Sequence, residues 1–332
     1  MNKRLLLPLG LTGALLTALL FPMPGLWLAR HQTAFLFVAA MFLINGYQTN
    51  LQAFPCSRRF LGAFILTALM AFVAGWLGHL VTSLVHFDAT IALGLVIMSA
   101  MPPTLSSVVV ITKESGGDTL WSLLMTIGLS LLGIVTIPLM LTALLARTSV
   151  ALPVWPLFAD LSLSVLVPFA LGVLLQRLIR KEPTPLVNLL PTLLIIILSY
   201  MSFSAGREKI ITNSALTLIS IIVAALAIHL TLFVTALGLA KLCRYSLAER
   251  KAIAFISSQK TLPIAIGVLA SLGVTGGAAA VPCVIFHFVQ LLCDSVIAFR
   301  WRTHASVART RIETSANVAS PSFTKTPRFP SR

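Results

Sequence analysis

Lys260 sits in the polar run Ser257-Ser258-Gln259-Lys260-Thr261, ahead of Leu262-Pro263, inside the otherwise apolar stretch 249–273. An ammonium at membrane depth costs at least about 2.5–3.5 kcal/mol on insertion scales, so such a group faces a cavity or a partner. The chemistry open to it is attraction of an anion or transfer of a proton. A second polar run, Met101-Pro102-Pro103-Thr104-Leu105-Ser106-Ser107, interrupts the apolar stretch 89–112. Each proline removes a backbone donor and clashes with the carbonyl one turn earlier, so neither stretch passes as a smooth helix. In a bilayer the freed groups are tolerated only where they are buried in protein or line a water-filled cavity. The hydroxyls of Thr104, Ser106 and Ser107, with the unwound carbonyls near Met101 and Pro102, are neutral oxygens of the kind that bind a hard cation such as sodium.

Other residues fall into place around these two runs. Asp294 is the candidate counter-charge for Lys260, with His287 about two turns away on the same stretch and Gln290 between them. A structural Lys260–Asp294 bridge is the competing reading. Ser122 and Thr126 are spaced i, i+4 and share a helix face, where each hydroxyl could instead satisfy its own helix carbonyl. Asn45, Gln48 and Thr49 form a polar cluster able to line a cavity, while Asn50 and Gln52 read as wet.

These residues need helices to hold them. The chain has 332 residues, 58% hydrophobic and 10% charged, against about 25% charged in an ordinary soluble domain. It reads as an all-α polytopic membrane protein. Windows of about 20 apolar residues give ten stretches: 5–28, 33–54, 60–84, 89–112, 119–146, 153–176, 186–206, 212–240, 249–273 and 278–299. The first is too long for a cleaved signal and reads as a retained span. Residues 303–332, rich in Ser, Thr, Arg and Pro, read as a disordered cytoplasmic tail.

The net charge of +15 does not imply nucleic acid. Basic residues lie in short connectors and the tail, without aromatic interleaving. On the side shared by both termini there are 19 Lys and Arg and on the other 4, with Lys260 left over. That asymmetry places both termini in the cytoplasm. Four cysteines without metal-ligand spacing read as buried apolar-like groups. The absence of GxSxG, HExxH, P-loop and paired membrane aspartates argues against an enzyme. No cofactor is expected, and no metal beyond a coupling sodium.

Five spans per half is an odd number, so the halves 1–147 and 148–302 have opposite orientation. The breaks near 103 and 261 are separated by 158 residues, and the first and sixth stretches start 148 apart. Matched breaks in inverted halves point to a secondary transporter with its substrate and ion sites at the midplane.

At these residues the chain resembles the bile acid:sodium symporter family, and most its bacterial symporter branch similar to the seventh vertebrate member of that carrier family. The similarity is carried by Met101–Val108 with Lys113-Glu114-Ser115-Gly116-Gly117-Asp118, by Ser258-Gln259-Lys260-Thr261-Leu262, and by Ile285–Leu291 with Arg300. It covers all ten stretches and excludes the tail. The resemblance implies ten helices in two inverted five-helix repeats, arranged as panel and core domains, with broken helices four and nine crossing in the core. It also implies cation-coupled transport of a small organic anion by alternating access. One sodium would be held by Ser106, Ser107, Ser122 and Thr126. The acidic ligand that family members carry on the ninth helix falls near Phe255 here, and the crossing carries Lys260 instead. A sodium ion 4 Å from that ammonium would meet repulsion of about 4 kcal/mol at an effective dielectric of 20. The expectation is therefore that Lys260 stands in for a bound cation, with its proton as the coupling ion. A regulatory membrane protein affecting ion homeostasis is the alternative class, and a channel is a third. The expected location is a bacterial inner membrane; substrate and oligomeric state are left open.

Overall fold

The computed structural model describes residues 3–31, 33–49, 57–145, 154–181, 183–212, 214–273 and 278–319, with the side chains of 3–8, 106, 188, 209 and 303–319 outside the description. The helices are α1 (Lys3–Leu20), α2 (Met23–Arg30), α3 (Thr33–Tyr47), α4 (Arg58–Val85), α5 (Ala89–Ala100), α6 (Leu105–Glu114), α7 (Thr119–Leu145) and α8 (Val154–Leu161). They continue as α9 (Val167–Ile179), α10 (Pro185–Ala205), α11 (Arg207–Thr212), α12 (Ala215–Leu242), α13 (Leu247–Ser258), α14 (Leu262–Ser271) and α15 (Ala280–Ala319). No strand occurs among the described residues. Each of the ten apolar stretches contains helix. By length and composition, seven helical segments of the described residues could cross a membrane, or eight if the bent pair α1–α2 is one span.

Three departures from regular helix have local causes. The first stretch turns by 98° between α1 and α2, where Pro22 and Pro24 cannot continue a helix. Carbonyls freed there are taken up by Arg207 Nε, 2.9 Å from Leu19 O, and by the Tyr200 hydroxyl, 2.6 Å from Phe21 O. The sixth stretch, expected to be uniform, carries a π-helical turn over Ser162–Leu166, in which Val167 N–H reaches Ser162 O. Pro168 follows at once and has no N–H for the carbonyl of Ser164, which accounts for the widened turn. Lastly, α15 runs to Ala319, beyond the expected end of the tenth stretch and into the segment read as tail; residues 320–332 lie outside the described residues.

Ends of the helices that frame the site are fixed by side chains. Ser246 and Glu249 form a capping box at α13, with Ser246 N 2.6 Å from Glu249 Oε2 and Glu249 N 3.3 Å from Ser246 Oγ. Ser57 and Ser214 cap α4 and α12. Such caps satisfy backbone donors that the first helical turn leaves free.

Two sets of helices pack closely within themselves, and α10 and α1 also touch α15. α3 lies on α9, and α10 on α1, α2 and α3; α12 packs on α13, α4 and α15, while α5 packs on α4 and α15. The segment Leu247–Ser271 is the most enclosed, with 94% of its apolar window buried against 33% for Arg58–Val85. The broken stretch is therefore wrapped by its neighbours rather than facing lipid.

Glycines permit the closest approach between α3 and α9. A Cβ on Gly172 would stand 2.0 Å from Leu43 O, and one on Gly46 would stand 2.2 Å from Phe169 O. Backbone cannot give way as a flexible side chain would. Gly172→Ala is expected to lower stability by about 2–3 kcal/mol through overpacking. Gly238→Ala, with nothing within 4 Å, should stay within about 0.5 kcal/mol. Thermal unfolding of the two purified variants in detergent checks the contrast.

Candidate functional site

The two breaks meet. Met101 and Thr104 have extended backbone, with ψ of 153° and 134°, so α5 stops at Ala100 and α6 starts at Leu105. Met101 precedes a proline and is driven out of the helical region by it. On the other strand of the crossing Gln259 and Thr261 are extended, with ψ of 147° and 118°. Pro263 is not itself the break. It occupies the first turn of α14, where its missing N–H costs nothing and its fixed φ suits a helix start. The breaks are joined directly by Thr261 N–H, which donates to Pro102 O at 2.9 Å. Pro102, Pro103, Thr104, Gln259, Lys260 and Thr261 are all buried.

Side chains continue the link. Gln259 Oε1 accepts from Thr104 Oγ1 at 2.7 Å and from Ser107 Oγ at 3.0 Å, and the two hydroxyls also touch each other. Gln290 of α15 brackets the main chain of Lys260 as a neighbouring strand would. Its Oε1 accepts from Lys260 N at 2.9 Å and its Nε2 donates to Lys260 O at 2.7 Å. His287 Nδ1 lies 2.9 Å from the same amide nitrogen and 3.3 Å from Lys260 O, so it faces both a donor and an acceptor. Neither His287 Nε2 nor Lys260 Nζ has a hydrogen-bond partner among the described residues, and both side chains are fully buried. Two buried nitrogens at the crossing thus lack a partner, and one of them, Lys260 Nζ, is a donor in any protonation state.

The expected Lys260–Asp294 pairing is not what the fold makes. Asp294 Oδ1 is 2.9 Å from His229 Nε2 and its Oδ2 accepts from Gln259 Nε2 at 2.7 Å. Gln290 and Asp294 lie on one face of α15, but the turn between them sends Gln290 to Lys260 and Asp294 past it to Gln259 and α12. His229 was not singled out from the sequence. A signal for it existed, since it is the one ionisable residue in the apolar run 215–240.

Of the hydroxyls expected on α6 and α7, the Ser106 side chain lies outside the described residues. Thr112 Oγ1 donates to Ser122 Oγ at 3.2 Å, and Thr126 Oγ1 is buried without a partner. The back-bonding alternative does not apply to Thr126. Ser257 Oγ is likewise unpartnered, and Ser258 Oγ is 3.4 Å from Phe255 O. In the second-stretch cluster Gln48 Nε2 donates to Val187 O at 3.0 Å and Thr49 Oγ1 to Asn45 O at 2.8 Å, Asn45 being buried. Asn50 and Gln52 lie outside the described residues. Cys283 is buried with its thiol 3.2 Å from Gly94 O, as expected of an apolar-like cysteine, whereas Cys243 is exposed.

The N-terminal end of α13, remote from the crossing, is latched to the loop between α6 and α7. Asp118 N–H donates to Ala248 O at 3.0 Å, and Lys251 Nζ donates to Ser115 O while lying 5.2 Å from the centre of the Trp301 ring. Gly116 in that loop has φ of +73°, a conformation that favours glycine. The Lys113–Asp118 motif is thus a docking turn for α13.

The chain is 27% identical over 326 residues to the protein named "Probable sodium/metabolite cotransporter BASS4, chloroplastic" of Oryza sativa subsp. indica, covering 89% of this chain and 75% of that one. Its counterpart of the same name in Arabidopsis thaliana is 24% identical, over 93% of this chain and 75% of its own length. Sodium/bile acid cotransporter 7-A of Xenopus laevis is 26% identical over 273 residues, covering 78% of this chain and 79% of that protein. Residues 6–303 match the family model described as the SBF-like CPA transporter family. The chain therefore belongs to the SBF-like CPA transporter family, a group of transporters and not of enzymes.

Proposed function

We propose that the protein is a secondary active transporter that carries a small organic anion across a bacterial inner membrane, coupled to a cation. The observation that carries the proposal is the buried Lys260 Nζ at the crossing, a donor without a partner among the described residues, with His287 Nε2 also unpartnered. Buried polar groups are ordinarily hydrogen-bonded, and an ammonium without a counter-charge is costly enough that it persists for function. An anion supplies the missing acceptor. The N-terminus of α6, which opens at the same crossing, adds a partial positive charge toward it.

The architecture in this proposal is ten spans in two inverted halves, 1–147 and 148–302, with both termini cytoplasmic. Support comes from the matched breaks at 101–104 and 259–261 and from the two packing groups. The group of α1, α2, α3, α9 and α10 would be the panel, and that of α4, α5, α12, α13 and α15 with the crossing would be the core. Movement of one against the other gives alternating access.

For the coupling ion, the relatives' names favour sodium, and the buried free oxygen of Thr126 favours a cation beside Ser122, Ser106 and Ser107. Lys260 then takes the place of a second cation, and its proton is the other candidate to couple. Uptake of a panel of small carboxylates into proteoliposomes, with sodium or pH gradients imposed separately, tests the reading. Saturable uptake driven by at least one gradient is expected. Uptake no greater than in empty liposomes under either gradient sinks the proposal.

A further inference from the structure

The buried pair His229–Asp294 lies outside the donors and hydroxyls used above, yet it is bonded on every polar atom. His229 Nδ1 is 3.2 Å from Ser258 O, and its Nε2 is 2.9 Å from Asp294 Oδ1. Both ring nitrogens thus face oxygen, and a single proton between the two side chains leaves the pair neutral. The other carboxylate oxygen, Asp294 Oδ2, receives Gln259 Nε2 at 2.7 Å. All three side chains are fully buried.

This arrangement constrains Gln259. A side-chain amide has one accepting end and one donating end, and it can be seated either way round. A carboxylate oxygen that only accepts selects the donating end, so Gln259 must turn its oxygen to Thr104 and Ser107 at the start of α6. A hydroxyl that gives its hydrogen to Gln259 has only lone pairs left for anything else. The polarity of the oxygens at the crossing is therefore decided two helices away, by a histidine on α12 and an aspartate on α15.

We infer that His229 and Asp294 are positioning residues for transport: they hold the Gln259 amide in the one orientation that makes the α6 hydroxyls present oxygen lone pairs to a cation. This rests on the crossing being the transport site, as proposed above. Loss of Asp294 frees the amide to rotate and offer its NH2 to the same hydroxyls, which then point their hydrogens elsewhere. His229 keeps the carboxylate neutralised and aimed, and is itself aimed by the carbonyl of Ser258, the residue next to Gln259.

Equilibrium binding of radiolabelled sodium to the purified full chain, together with nitrogen NMR of isotope-labelled histidine, tests the inference. Asp294→Leu and Gln259→Leu should each weaken half-saturation by sodium about ten-fold, and the double variant by no more than about two-fold beyond the worse single one, because residues acting through one another are non-additive. Asp294→Asn, whose amide oxygen can still accept from Gln259, should recover most of the loss. The His229 ring signals, identified by their absence in His229→Gln, should shift in Asp294→Leu and stay in place in Gln259→Leu. Multiplying losses in the double variant, an Asn variant as poor as the Leu variant, or ring signals indifferent to Asp294→Leu would each overturn the inference. If the wild-type chain binds no sodium, the sodium part of the functional reading fails, and the histidine spectra still decide whether the pair exists.

Discussion

Lys260→Met is expected to make the protein more stable and to end its transport. The ammonium is fully buried and has no hydrogen-bond partner among the described residues. Removing a charge from water costs several kcal/mol after relaxation, and nothing around Lys260 Nζ repays it. Methionine keeps the unbranched shape and fills the same space with an apolar chain. A gain of about 2 kcal/mol, and a rise in midpoint of about 5 °C, should follow in thermal unfolding of the detergent-purified protein. A fall in midpoint would show that the ammonium is already paired. For uptake the sign reverses: an anion that met Lys260 would be left buried without its charge partner, a loss of about 2–5 kcal/mol, or at least about thirty-fold in affinity. Stability and function are thus set against each other at one residue, as strained functional sites commonly show.

Gln290→Leu should act in the opposite direction on stability. Gln290 bonds both groups of the Lys260 main chain, at 2.9 Å to N and 2.7 Å to O, in a break where no helix supplies partners, and the other contact to Lys260 O is His287 Nδ1 at 3.3 Å. Leucine fits the volume and offers neither. Lys260 N–H is left unsatisfied and Lys260 O keeps only the longer His287 contact; at about 1–3 kcal/mol for an orphaned backbone group, the variant should lose about 3 kcal/mol and unfold about 7 °C lower. Gln290→Glu should be nearly as poor, because it can accept from Lys260 N but turns a second oxygen toward Lys260 O. A midpoint within about 2 °C of wild type for either variant would mean that water reaches the break and satisfies it.

What was legible in the sequence was what depends on covalent neighbours. Pro102 and Pro103 break a helix whatever surrounds them, and Met101 follows from Pro102 alone. Lys260 was conspicuous because an ionisable group among apolar residues needs a reason. Its partners were not legible. Asp294 was paired with Lys260 as the intramembrane counter-charge, and the fold gives it to His229, because α12 packs on both α13 and α15. The partner of Gln48, Val187 O on α10, was not legible either. Pro263 was read as a break, although its position in the first turn makes it a start signal for α14. The bend at Pro22 was passed over since the apolar count on either side of it sufficed for a span.

The central claim is that the meeting of the two breaks binds the transported anion through Lys260. Uptake by proteoliposomes reconstituted with equal amounts of wild-type and Lys260→Met protein, driven by whichever gradient the wild type uses, tests it most directly. Uptake by the Met variant at or below the level of empty liposomes, from protein whose thermal midpoint is no lower than wild type, is the predicted result. Wild-type uptake rates in the Met variant would contradict the claim.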